Sequence, residues 1–200
     1  MISVYNIKPK FQALLKPIME GLHRMGFKPN HITMIALIGS IAVGAFTFLN
    51  KSWIPLIVVP AFLLFRMALN AIDGMMARAY RQQSAIGEVL NEVGDVLADV
   101  SIFYPLLLRF GMEKHPHFVV AFIVLIILNE FVGVLGKAMG GERRYEGPMG
   151  KSDRALIFGV LCLIILMFPT WVKWSIYGFV LIFAAMLMST LLRILNSIKA

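Results

Sequence analysis

Six stretches of the chain, near 31–49, 53–80, 85–110, 117–139, 154–168 and 171–197, are apolar over almost their whole length, which leaves little choice of architecture. About 20 apolar residues cross the hydrocarbon of a bilayer as a helix, and inside it a segment must satisfy its own backbone amides. The second and third runs exceed that length and are expected to protrude into water. Polar, Gly-containing or Pro-containing turns at 50–52, 82–84, 111–114, 140–151 and 169–170 separate the runs. Composition agrees: 59% of residues are hydrophobic, 15% are charged and the mean hydropathy is +0.80. The expected fold is therefore all-α, a polytopic membrane bundle of six transmembrane helices forming one domain over 29–200, preceded by a juxtamembrane segment over 1–28. Cys162, the only cysteine, lies in the apolar run 155–168, which excludes an intramolecular disulfide and a zinc–thiolate cluster.

Lys and Arg set the expected orientation, because short loops rich in positive charge stay on the cytoplasmic side. Lys8, Lys10, Lys16, Arg24, Lys28, Arg78, Arg81, Lys137, Arg143, Arg144, Lys151, Arg154, Arg193 and Lys199 fall on one side of the six spans; the other side has only Lys51, Arg109, Lys114 and Lys173. Both termini are thus expected in the cytoplasm, in an integral protein of the inner (plasma) membrane. The first 28 residues lack the continuous apolar core of a cleavable signal peptide. Phe11, Leu14, Leu15, Ile18, Leu22 and Met25 recur there at helical spacing, fitting either an amphipathic helix on the inner leaflet or a helix packed on the protein. The net charge of +8 suits anionic lipid, and no long basic patch with interleaved aromatics points to nucleic acid.

Against this apolar background stands Asp73–Gly74–x2–Ala77–Arg78–x8–Gly87–x3–Asn91–x3–Asp95. Ionisable residues are costly inside spans and mark a site by default. Asn70, Asp73 and Ala77 share one face of the second span, with Gly74 and Arg78 alongside; Gly87, Asn91, Asp95 and Asp99 form an i, i+4 ladder on the third. A short-loop hairpin brings these faces together near the cytoplasmic surface. Oxygen donors from two helices suit a hard divalent cation, Mg2+ or Mn2+, that keeps positions open for water and phosphate. Small residues let a ligand approach backbone, and Arg78 offers a guanidinium fork for phosphate. Single Asn or Gly residues often only glue helices together, but packing does not call for two carboxylates and an arginine at adjacent span ends.

At these residues the chain resembles the CDP-alcohol phosphotransferase family, whose signature D-x2-D-G-x2-A-R-x8-G-x3-D-x3-D runs across the second and third of six transmembrane helices. The resemblance implies a metal-dependent homodimeric enzyme that moves a phosphatidyl group from CDP-diacylglycerol to an alcohol and releases CMP in phospholipid synthesis. By the same resemblance Asp73, with Asn70, Asn91 and Asp95, would hold Mg2+ or Mn2+; Gly74, Ala77, Arg78 and Gly87 would cradle the cytidine diphosphate; and Asp95 would be the base that deprotonates the acceptor. Pro29–Asn30–His31–Ile32–Thr33 is similar to the family's P-N-x2-T segment and would place Asn30 and Thr33 near the nucleotide, although Asn30 also reads as a simple helix cap. The chain departs from the signature at Asn70 and Asn91, where the family has aspartate. An amide carbonyl still coordinates but brings no charge, so two negative charges are missing from the metal's surroundings. Glu88 and Glu92 point about 100° away from Gly87 and Asn91 and are poor substitutes.

A second cluster runs from Gly141 to Arg154 on the same side of the membrane. It lacks the glycine spacing and the preceding strand of a phosphate-binding P-loop. Lys151, Arg154, Arg143 and Arg144 make it a candidate binding site for an anionic acceptor such as glycerol 3-phosphate or an inositol phosphate. Lys151 and Arg154 abut a helix start, where a cation opposes the helix dipole and an anion helps. Asp153 reads as an offset to that dipole. Arg66 and Glu130 are isolated intramembrane charges expected to pair with each other or with the motif, and His115 and His117 fall in the opposite loop. An inactive homologue that binds a CDP-lipid or a membrane partner is the alternative to the transferase. A transporter fits less well, because the polar residues gather near one surface and not at the midplane of several spans.

Overall fold

The computed structural model describes residues 8–199; residues 1–7 of the expected juxtamembrane segment, and residue 200, lie outside the described residues. Seven α-helices account for nearly all of them: α1 (Lys8–Arg24), α2 (Pro29–Leu49), α3 (Pro55–Ala79), α4 (Ala85–Arg109), α5 (Pro116–Ala138), α6 (Lys151–Met167) and α7 (Ser175–Ile198). Short 3-10 turns at Met112–Lys114 and Pro169–Trp174 lead into α5 and α7. Four segments are long and apolar enough to cross a membrane: α2, α3, α5, and α7 together with its 3-10 turn. The other two expected spans fall short for visible reasons. Glu88, Glu92, Asp95, Asp99 and Arg109 load α4 with charge, and α6 has only 17 residues.

Local chemistry explains the helix ends. Proline opens α2, α3 and α5, where its missing amide donor costs nothing. Ser84 caps α4 by accepting from the Gly87 amide at 3.0 Å, and the Asp153 carboxylate accepts from the Gly150 amide at 2.9 Å to start α6 at Lys151, earlier than the apolar run alone predicts. The cap position of α2 is Lys28, with Pro29 first in the helix, so Asn30 sits inside the first turn and is not the cap.

The chain runs back and forth, so the starts of α2, α4 and α6 and the ends of α3, α5 and α7 gather at one end of the bundle. α2 packs on α3 and α4, α3 on α6, and α5 on α4 and α7. An aromatic cluster of Phe103, Phe122, Phe158 and Phe179, with ring centroids 4.5 to 6.0 Å apart, joins α4 to α7 in the lower core. α1 docks on α3 through Leu15 and Met19, which meet Ile32, Leu69, Ile72 and Met76. The expected apolar face of α1 is therefore split: Leu14 and Ile18, one residue away in the helical repeat, stay exposed.

α2 and α4 approach so closely that a β-carbon added at Gly44 would collide with the Ser101 carbonyl. Gly44→Ala is expected to cost about 1–3 kcal/mol, as overpacking does. Gly178→Ala, with open space around it, is the matched control. Thermal unfolding of the two variants in detergent checks this; equal midpoints would contradict it.

Candidate active site at the converging helix ends

A cleft of about 840 Å³ opens where the helix ends converge. Asn30 and Thr33 from α2, Asp73, Gly74, Ala77 and Arg78 from α3, and Gly87 and Asn91 from α4 all line it, as do Glu88 and Glu92. Thus the structure brings the P-N-x2-T segment and both halves of the long motif to one cavity. Gly87 is held there by sterics: a β-carbon would stand 2.8 Å from the Asn30 side-chain oxygen. Arg78 lies over Gly74, its guanidinium 3.4 Å from where a β-carbon would be. Arg78 is exposed and has no carboxylate partner among the described residues.

The far wall comes from the segment between α5 and α6, through Gly141, Glu142, Arg143 and Tyr145. This segment is fastened to both neighbouring helices. The Arg144 amide donates to the Gly133 carbonyl at 2.9 Å and the Met149 amide to the Ser189 hydroxyl at 3.0 Å. Arg193 of α7 donates to the Glu146 carbonyl at 3.1 Å and to the Asn129 carbonyl at 2.6 Å. Gly147 has φ +106°, which favours glycine, and packs against Ser189. Arg143 reaches inward from this wall to Glu92 at 2.7 Å and Glu130 at 3.1 Å, and its guanidinium lies 4.7 Å from the Tyr145 ring centroid. Burial opposes the charge on Arg143, but the Tyr145 hydroxyl and the Glu92 and Glu130 carboxylates outweigh it and hold the guanidinium above the ordinary arginine value.

Below the cleft floor the carboxylates are paired. Asp95 is buried: its Oδ1 accepts from the Asn70 amide at 2.9 Å and from Arg66 at 3.3 Å, and its Oδ2 meets the Lys151 ammonium. Asp99, one turn deeper, is held by Arg66 at 2.6 Å and Arg154 at 2.7 Å, and Arg154 also reaches Glu130 at 2.6 Å and Asn129 at 3.3 Å. Asp73 differs from the rest: Thr33 donates to it at 2.9 Å, and it has no ion-pair partner among the described residues.

The basic cluster of the sequence therefore divides. Lys151 points at Asp95 and Arg143 lines the cleft, but Arg144 only skirts a 3.5 Å contact with Glu146 and is not among the cleft-lining residues. Arg154, expected to face an acceptor, is completely buried, and both terminal nitrogens of its guanidinium donate to acidic and amide oxygens. Its place explains the difference: one turn into α6, it points to α4 and α5 and organises the bundle. Arg66 and Glu130 do not pair with each other; Arg66 joins the motif at Asp95 and Asp99, Glu130 pairs with Arg143 and Arg154, and the Asp99–Arg154 pair links the two. Tyr145 and Glu92 are cleft residues that the sequence signals alone did not assign.

No three His, Cys, Asp or Glu side chains among the described residues converge to hold a metal ion by themselves. A hard cation fits only with amide, hydroxyl or phosphate oxygens added. Asp73 and Asn91 at the cleft meet that description, whereas Asn70 turns its amide nitrogen, which is not a ligand, toward Asp95.

The fold and this cleft together define an integral membrane protein with an oxygen-rich, cation-lined site at one end of its helices. A family model for CDP-alcohol phosphatidyltransferase matches residues 27–195. The chain is 42% identical over 174 residues to the inner membrane protein YnbA of Escherichia coli (strain K12), covering 87% of this chain and 86% of that one. It is 30% identical over 148 residues to phosphatidylinositol phosphate synthase of Mycobacterium bovis (strain BCG / Pasteur 1173P2), covering 72% of this chain and 65% of that one. Crystal structures of the Mycobacterium tuberculosis phosphatidylinositol phosphate synthase share the fold at 21% identity. With CDP-DAG bound the TM-score is 0.75, covering 92% of this chain and 94% of that one; with manganese and citrate it is 0.74, covering 93% and 89%. The chain belongs to the CDP-alcohol phosphatidyltransferase family, a class of divalent-metal-dependent membrane enzymes of phospholipid synthesis.

Proposed function

We propose that this chain transfers a phosphatidyl group from CDP-diacylglycerol to a phosphorylated alcohol and releases CMP. The observation that carries the reading is one cleft combining a carboxylate and a guanidinium that have no ion-pair partner among the described residues with small residues from two helices, and a lysine-held carboxylate just beneath it. Arg78 and the backbone around Gly74, Ala77 and Gly87 bind the diphosphate, and Asn30 and Thr33 bound the nucleotide. Asp73 and Asn91 would hold Mg2+ or Mn2+, whose charge neutralises the diphosphate when bound. Asn70 and Asp95, the other members of the expected ligand set, lie deeper and engage each other. Asp95 takes the proton from the acceptor hydroxyl as that oxygen attacks the lipid-linked phosphorus; the anhydride bond to CMP breaks and its electrons leave with CMP. Lys151 has three donors: one holds Asp95, and others are available for the acceptor's phosphate, with Arg143 adding charge from the cleft wall and Arg144 behind that wall.

An inositol phosphate is the preferred acceptor, since relatives about 30% identical are phosphatidylinositol phosphate synthases, and glycerol 3-phosphate is the second candidate. In this reading all six helices from α2 to α7 span the inner membrane, with both termini and the cleft cytoplasmic. The chain works as a homodimer, and the exposed Leu14 and Ile18 of α1 rest in the inner leaflet. A second reading, CDP-lipid binding without turnover, draws on Asn70 and Asn91 and on the occupied oxygens of Asp95.

Purified protein given CDP-diacylglycerol, Mn2+ and one acceptor at a time is expected to release CMP only with a phosphorylated acceptor. No release with any acceptor would leave the binding reading. Arg78→Gln is expected to weaken donor binding by about 10- to 100-fold, because a phosphate held by a charged fork loses its counter-charge. A donor affinity unchanged in that variant would remove Arg78 from the site.

A further inference from the structure

We infer that built-in cations occupy the Asp95 side of the site in this chain: Lys151 and Arg66 countercharge Asp95, and the site binds a single divalent cation, at Asp73. The inference rests on the transferase reading for its substrate and on the ion-pair network for its content. Four carboxylates, Glu92, Asp95, Asp99 and Glu130, pair with four cations, Arg66, Arg143, Lys151 and Arg154, in one connected and balanced cluster. Asp73 stands outside that cluster, faces the cleft and takes only a hydroxyl hydrogen bond. One divalent cation there, with a diphosphate beside it and Arg78 opposite, satisfies the balance.

A second divalent cation has no comparable place. Both oxygens of Asp95 are engaged, one by Lys151 and the other by Arg66 and Asn70. An ion at Asp95 would meet an ammonium and a guanidinium at contact distance in a nearly dry site, where like charges repel strongly. Asn70 contributes a donor to that carboxylate, as suits one neutralised by cations. The amides at Asn70 and Asn91 and the cations at Arg66 and Lys151 thus fit as one exchange: negative charge is removed from the site and positive charge is set against the Asp95 that remains. Lys151 then countercharges the base and the incoming phosphate together.

The experiment is a Mn2+ titration of the full chain in detergent with CDP-diacylglycerol present, counting free Mn2+ by its electron paramagnetic resonance signal, with CMP release followed on the same samples. One Mn2+ per chain is expected. Asp73→Asn is expected to weaken it by about tenfold or more, and Asp95→Asn to leave stoichiometry unchanged and affinity within about threefold. Two ions per chain, none, or equal losses in the two variants would overturn the inference. Two ions with acceptor-dependent CMP release would leave the transferase reading standing; one ion with no release under any acceptor would leave the single-cation site and remove the transfer.

Discussion

Arg154→Leu is expected to be among the most destabilising single substitutions in this protein, by about 3–5 kcal/mol, the range found when one partner of a buried ion pair is removed. Arg154 has no exposed surface, and its guanidinium ties Asp99 of α4 and both Asn129 and Glu130 of α5 to the first turn of α6. Leucine fills much of the space but leaves Asp99 to Arg66 alone and Glu130 to Arg143 alone, so the buried network is one positive charge short. For a chain of this length the loss corresponds to a fall of roughly 10 °C in the unfolding midpoint. Adding Glu130→Gln to Arg154→Leu restores the charge balance and is expected to recover part of the loss, while Arg66 keeps Asp95 and Asp99. An Arg154→Leu midpoint within a degree of the parent, with unchanged folding by circular dichroism, would show that the network carries no stability.

Asp95→Asn is expected to lower turnover by about 10²- to 10⁴-fold, the range of a general base, while donor affinity stays within about threefold. Asn is nearly isosteric but keeps a single acceptor oxygen, so either Lys151 or the Arg66–Asn70 pair loses its partner, whereas the cleft that holds the diphosphate does not include Asp95. Single-turnover CMP release with acceptor present reads the chemical step, and equilibrium binding of CDP-diacylglycerol reads the other. Full turnover in Asp95→Asn would transfer the base role elsewhere. Loss of donor binding in step with turnover would make Asp95 part of the donor site.

The helices were legible because their signal is local. The apolar run read as 85–110 became α4 at Ala85–Arg109, and that read as 117–139 became α5 at Pro116–Ala138, since burial in lipid and a polar turn both write themselves into consecutive residues. The two motif halves were legible for a related reason: helical spacing fixes which residues share a face, and a short connection fixes which helices are neighbours. What stayed hidden was the partner of each charge. Arg66 and Glu130 stood out as expensive, but the pairings of Arg66 with Asp95 and Asp99, and of Glu130 with Arg154 and Arg143, depend on how α3, α4, α5 and α6 meet. Arg154 shows the limit most clearly, because a cation beside a helix start is the same in sequence whether it faces a ligand or turns into the bundle. The wall from Gly141 to Tyr145 has no periodicity to read, and its path is set by the left-handed Gly147 and by Ser189 and Arg193 far along the chain.

That anchoring fixes when the site comes into being during synthesis. Membrane helices are inserted in order from the ribosome, and Ser189 and Arg193 emerge after every residue that lines the cleft. Until α7 is in place, the segment bearing Arg143 and Tyr145 lacks its ties to Ser189 and Arg193, and the far wall of the cleft is held from the α5 side alone.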